Sequence, residues 1–151
     1  MASQQLLVFN LNNEEFGVDI SHVDSIIPPK EIVKVPNTPD YIEGLLSLRG
    51  KVYTIFNLRK KFHLPTIDIN ENTKIVIVNA NSLVLGFIVD EVKEILKIDD
   101  ESINENSGTV ASLSKKFLAG AVKVDERIIL ILDLDQTLSL VNDDEAVKIK
   151  V

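Results

Sequence analysis

An internal duplication limits what this chain can fold into more than any other feature. Residues Gln5 to Ile27 (QLLVFNLNNEEFGVDISHVDSII) align without a gap on Lys74 to Leu96 (KIVIVNANSLVLGFIVDEVKEIL), at an offset of 69. Phe16-Gly17 falls on Leu85-Gly86, Ile20 on Val89, Val23 on Val92, and Asn10 on Asn79. Residues Tyr41 to Phe62 align in the same way on Phe117 to Leu138, at an offset of 76. Gly44 then meets Gly120, Val52 meets Ile128, and Asn57-Leu58 meets Asp133-Leu134. The offsets differ by seven, so the connection between Leu96 and Phe117 is the longer one. It is polar and rich in Ser and Asn, and reads as a loop.

Each copy therefore follows one plan. A strand pair comes first, then an irregular piece, then a second strand pair that ends in a helical turn. Asn12-Asn13 and Asn81-Ser82 are the first turns, because Asn tolerates left-handed dihedrals. Arg49-Gly50 and Asp125-Glu126 are the second turns. Val52 to Phe56 is β-branched and aromatic, as strands prefer. Asn57 stands where a helix cap belongs, Leu58 and Phe62 share a helix face, and Pro65 ends the turn. Residues 64–73 form a linker. Pro28-Pro29 and the Pro36–Pro39 turn exclude a regular central strand between the two halves of the first copy. Ile128 to Leu132 is apolar at every position, which requires cover on both faces of the sheet. The expectation is an all-β chain, one domain across residues 1–151. One small barrel forms from residues 5–65 and another from 73–140, and the two pack over a shared core with short helical turns.

Composition removes whole classes of function. The 151 residues are 45% hydrophobic, enough for a sizeable core. There is no Cys, so disulfides, thiolate metal sites and Cys nucleophiles are absent. The longest apolar run, Leu83 to Val89, is far short of the ~20 residues that span a bilayer. Residues Met1 to Gln5 lack a basic leader, and the expectation is a cytoplasmic protein with no direct membrane insertion. The net charge of −7 disfavours nucleic acid. Against that, Arg49, Lys51, Arg59, Lys60 and Lys61 fall in thirteen residues without an acid. That stretch keeps open a weaker alternative, an SH3-like or OB-like nucleic-acid module, which would need free aromatic rings for base stacking. An acidic run, Asp99, Asp100, Glu101 and Glu105, reads as a solvated loop.

No reactive constellation is visible. His22 and His63 have no second His at ligand spacing, and His22 belongs on an exposed turn. Phosphate loops, dinucleotide fingerprints and nucleophile elbows are missing. Asp90, Glu91 and Glu94 could in principle do acid–base work or hold a cation. Their plainer reading is a cap and a solvated face, since Asp90 aligns with Ser21 and both are capping types. The expectation is a binding module with no enzymatic activity, cofactor or metal.

Five ordered blocks resemble the CheW family of chemotaxis coupling proteins. They are Leu6 to Val23, Val35 to Gly44 (VPNTPDYIEG), Leu46 to Phe62 (LSLRGKVYTIFNLRKKF), Leu85 to Leu96, and Phe117 to Leu138. The resemblance covers about residues 5 to 140. It implies two SH3-like five-stranded barrels around a shared hydrophobic core. It also implies a non-enzymatic adaptor between the cytoplasmic tips of chemoreceptors and the regulatory domain of the histidine kinase CheA, recruited to receptor arrays. A CheW-like coupler of a pilus or developmental pathway is the alternative. No receiver domain is expected after Val151. Three departures stand out. Ser47 replaces the family's usual Asn before Leu48-Arg49-Gly50, Asn57 replaces Asp before Leu58-Arg59, and Ser25 stands where a Glu is frequent.

For an adaptor, apolar surface must stay open until a partner arrives. Leu7, Ile20, Val23 and Ile26 recur near the junction of the halves, where the resemblance places a groove for the helical receptor tip. Ordinary core is the competing role for each. Arg49 tops a hairpin where the second copy has Asp125, so the fold does not require Arg; the resemblance makes it a receptor contact. For the kinase side, Val35, Tyr41 and Ile42 surround the Pro36–Pro39 turn and the strand start, where barrel-to-barrel pairing would bury apolar surface.

Overall fold

A computed structural model of the chain describes residues 2–80, 83–104 and 117–139. The first repeat supplies β1 (Ser3–Leu11), β2 (Glu14–Asp19), β3 (Val23–Ile27), β4 (Ile42–Leu48), β5 (Lys51–Asn57) and the helical turn α1 (Leu58–Lys61). The second supplies β6 (Lys74–Ala80), β7 (Leu83–Val89), β8 (Glu91–Asp99), β9 (Leu118–Val124), β10 (Arg127–Leu132) and α2 (Leu134–Thr137). Elements β9 and α2 fall 76 residues after β4 and α1, residue for residue. The piece read as irregular in each copy holds a strand, β3 and β8, and β8 runs three residues past Leu96. Asn81-Ser82, Glu105 and most of the Leu96–Phe117 loop lie outside the described residues.

Local chemistry sets the ends of these elements. Asn12 and Asn13 both have positive φ, 56° and 67°, as a two-residue hairpin turn of this hand demands. The Asn57 side chain accepts a hydrogen bond from the Lys60 amide, and Asp133 accepts one from Gln136, so both helical turns are capped alike.

The sheets do not follow the repeats. One has the order β8-β1-β2-β10-β9 and the other β3-β6-β7-β5-β4. Exchanging the two copies converts one order into the other, so the molecule has pseudo-twofold symmetry with swapped strands. Each sheet sets a two-stranded hairpin from one copy between strands of the other. The parallel pairs β10–β2 and β5–β7 are the seams. The expectation that residues 5–65 and 73–140 each close their own barrel is corrected accordingly. The physical reason is edge satisfaction: β1–β2 alone would leave both flanks unpaired, and β8 and β10 cover them.

Among the described residues, three clusters fill the interior. Leu6, Val8, Val122, Ile129 and Ile131 fill the first barrel, and Leu46, Tyr53, Ile55, Ile75 and Ile77 fill the second. Between the sheets lies the largest, which includes all six Phe residues with Leu7, Val18, Val76, Val78 and Leu130. The all-apolar strand β10 is explained at once. Ile129 and Ile131 face its own barrel, while Leu130 and Leu132 face the shared core. Phe9 and Phe87 meet across the sheets with ring centroids 5.6 Å apart.

Gly44 and Gly120 serve one role in the two copies. Val33 bridges to Leu45 and Asn104 to Ala121, each beside the glycine, sealing the free flanks of β4 and β9. A Cβ on Gly44 would stand 2.3 Å from the Val33 carbonyl oxygen, and its φ is 147°. Only glycine allows the connecting segment to approach so closely.

Candidate functional site

The sequence-predicted receptor residues separate when placed on this frame. Leu7 is corrected to a core residue: it is buried between the sheets, because β1 is a central strand with apolar cover on both faces. Ile20 and Val23 are half-buried and pack against the rim of the same core. Ile26 is 40% exposed on β3, an outer strand of the second sheet. Val23 and Ile26 pair in register with Val78 and Val76 of β6. Ile20, Val23 and Ile26 thus remain together along one border of the molecule.

Arg49 sits at the tip of the β4–β5 hairpin with φ 52°, followed by Gly50 at 79°. A side chain other than Gly, Asn or Asp rarely occupies this left-handed region. The Arg49 side chain is exposed, and among the described residues nothing accepts a hydrogen bond from it.

Of the kinase-side residues, Val35 is half-buried beside the turn, where its carbonyl accepts a hydrogen bond from the Thr38 hydroxyl. Tyr41 and Ile42 are corrected to core residues. The Tyr41 ring stacks on Phe56 at 5.8 Å, and the Lys61 ammonium lies 3.9 Å from its centre. Their place in the shared core leaves them little side-chain surface for a partner.

The fold engages two cations of the basic stretch, Lys61 and Arg59. Lys61 is buried against the aromatic cluster, donating to the Ser139 carbonyl. Arg59 makes two contacts with Asp90, at 3.1 Å and 2.6 Å, and donates further to Asn12 and to the Pro65 carbonyl. Asp90 also accepts from the Asn12 amide at 2.8 Å. The Arg59–Asp90 pair therefore ties α1, the β1–β2 turn and the linker together, in place of the capping role that the alignment of Asp90 with Ser21 suggested. Tyr53, Phe56 and Phe62 are buried, so they offer bases no stacking face. The nucleic-acid reading loses the free aromatic faces it requires.

Sequence reasoning missed a second ion cluster. Arg127 on β10 reaches Glu15 on β2 at 2.5 Å and Glu94 on β8 at 2.7 Å. Hydrogen bonding from Arg127 holds the Glu15 carboxyl below its ordinary value, partly opposed by desolvation. The three residues are far apart in sequence, and only their shared sheet register could have exposed the cluster. A carboxyl with a depressed native pKa adds stability above its unfolded value, and that stability is lost as pH falls through the native one. Glu15→Gln is expected to flatten the acid side of the stability–pH profile below about pH 4.5 and to leave its neutral shape intact. Urea melts at several pH values check this.

A cleft of about 280 Å³ lies at one end of β10, lined by Asp19, His22, Ile131 and Asp133 among others. Two of its acids are already engaged: Asp19 accepts from the Ser21 amide and Asp133 from that of Gln136. His22 is exposed on the short turn that precedes β3, as the sequence suggested.

This arrangement has a known counterpart. The model of the CheW-like domain matches residues 5–142. The chain belongs to the CheW-like family. This CheW-like chain is 34% identical over 136 residues to the chemotaxis protein CheW of Klebsiella aerogenes, covering 90% of this chain and 82% of that one. It is 28% identical over 144 residues to CheW of Bacillus subtilis, covering 95% and 92%. The crystal structure of the scaffolding protein TtCheW from Thermoanaerobacter tengcongensis superposes with a TM-score of 0.86 at 30% identity, covering 95% and 92%. The expected all-β fold of two SH3-like five-stranded barrels holds for this CheW-like chain. No helix among the described residues is long and apolar enough to cross a membrane.

Proposed function

We propose that the chain is a non-enzymatic adaptor that couples chemoreceptors to the histidine kinase CheA in the cytoplasm and is recruited with them to arrays at the membrane. The observation that carries this reading is the Arg49 hairpin tip. An arginine held in a strained backbone region, exposed and without a partner among the described residues, is suited to a carboxylate or carbonyl on another protein. The family relationship supplies the context of chemotaxis. On this reading the helical receptor tip lies along the Ile20, Val23 and Ile26 border with Arg49 setting its register. The kinase's regulatory domain takes the Val35 turn.

Arg49→Ala is expected to weaken receptor co-sedimentation about tenfold while moving the melting temperature by no more than about 2 °C. Alanine keeps the Cβ and with it the backbone strain, and an exposed cation adds little to the stability of the free protein. A loss of several degrees makes Arg49 structural; unchanged binding to both a receptor tip and the CheA regulatory domain removes the reading.

A further inference from the structure

The two repeats meet along seams that nothing confines to one chain. Strand β1 pairs with β8, β2 with β10, β3 with β6 and β5 with β7. In every case one strand comes from residues 3–57 and the other from residues 74–132. Residues 62–73 are the covalent passage between the repeats, and that passage begins with a strained turn. The amides of Phe62, His63 and Leu64 donate to the carbonyls of Leu58, Lys60 and Arg59, and His63 carries the turn with φ 61°. Glycine or asparagine usually fills such a position after a helix, because a Cβ there crowds the following carbonyl oxygen. Arg59 holds the turn closed by donating to the Pro65 carbonyl. Beyond it the linker leaves two large apolar side chains in water, Ile67 at 51% exposure and Ile69 at 61%. They alternate with Asp68, which is the period of a strand.

We infer that this architecture fits a second copy of the chain as its partner: two molecules exchange their second repeats, with residues 62–73 as the hinge and His63 as the residue whose strain opening releases. Each of the two resulting units has both sheets, the shared core and every seam, with residues 3–57 from one chain and 74–132 from the other. The Arg59–Asp90 pair and the contact of Arg127 with Glu15 then join two chains. Reciprocal exchange satisfies every seam with two copies, so the assembly closes. Two straightened linkers lie side by side and cover Ile67 and Ile69, which the closed chain does not. Within one chain the seams form without loss of translational freedom, so the monomer dominates in dilute solution and the exchanged dimer grows with concentration. The dimer carries each outer border of the molecule twice. That strengthens its hold on clustered partners without any new contact, whichever proteins dock there.

The chain has no Cys, so one engineered pair reads the connectivity. Gln5 and Lys97 are exposed register partners across the β1–β8 seam. Directly opposed residues of antiparallel strands stand about 4.5–5.5 Å apart, within disulfide reach. The full chain with Gln5→Cys and Lys97→Cys is refolded from urea at high protein concentration, oxidised and separated by size exclusion. The dimer fraction is expected to stay a covalent dimer on a gel without reductant, and the monomer fraction to run as a single chain. His63→Pro forbids the positive φ and is expected to raise the dimer-to-monomer ratio about tenfold. His63→Gly adopts that φ without strain and is expected to lower the ratio at least about threefold. Deleting residues 66–71, which cuts the linker to Leu64, Pro65, Asn72 and Thr73, is expected to give mostly covalent dimer even if His63→Pro fails to fold. Dimers that fall to single chains on the gel overturn the inference, because their bridges are internal and closed molecules have met through their surfaces. So does an unmodified chain that refolds only as monomer at every concentration. A ratio that neither His63→Gly nor the deletion moves overturns the role of the hinge.

Discussion

Phe87→Ala is expected to lower the unfolding free energy by about 3–5 kcal/mol, a large share of the ~5–15 kcal/mol typical of a domain. Phe87 is fully buried on the central strand of the second sheet, and its ring meets that of Phe9 from the first. Phe9 in turn stacks on Phe16, and Phe16 on Phe62, at 5.9 Å and 6.1 Å. Removing one ring opens a cavity in the layer that both sheets line, and neighbouring β-strands cannot collapse far enough to fill it. The melting temperature should fall by roughly 10 °C for a chain of this size. Both halves should unfold together, because strand exchange leaves neither sheet complete without the other repeat. Val52→Ala, at an exposed site, should change stability by less than about 0.5 kcal/mol. A Phe87→Ala loss below about 1 kcal/mol, or two separate transitions in urea, contradicts the shared core.

Ile26→Asp is expected to abolish receptor co-sedimentation, with a loss of at least about tenfold, and to keep a native melting curve. Ile26 is on an outer strand and offers its side chain to solvent, so the free protein tolerates a charge there. In a complex the same carboxylate would be desolvated without a partner, against an apolar helix face. Val23→Asp is the less informative variant. Val23 packs against the shared core, so its loss of binding would come with a loss of stability. Normal co-sedimentation by a folded Ile26→Asp protein removes the groove along this border.

The two variants also show where reading a sequence stops. Leu7, Tyr41 and Ile26 look alike as apolar residues in strand-like runs. Leu7 is buried because its face of β1 packs on the second sheet, and both sheets are assembled from strands of both repeats. Tyr41 is buried because α1 folds back to lay Lys61 over its ring. Ile26 stays open because β3 ends its sheet. None of these facts is local. Arg49 could be singled out from sequence, because its counterpart Asp125 shows that the turn does not demand a cation. That both residues would adopt φ near 55° follows from the hairpin geometry they share.

By itself, the sequence determined the duplication, the strand and turn chemistry, the capped helical turns at Asn57 and Asp133, and the family. All of these rest on short-range spacing and local backbone preference. The tertiary structure alone decided which strands pair, and with that the burial of Leu7, Tyr41 and Ile42, the Arg59–Asp90 anchor, and the cluster of Arg127 with Glu15 and Glu94. Two equivalent copies present the same edges to themselves and to each other. The choice between closing alone and exchanging strands is made by the free energy of covering those edges over one common core, which no window of sequence contains.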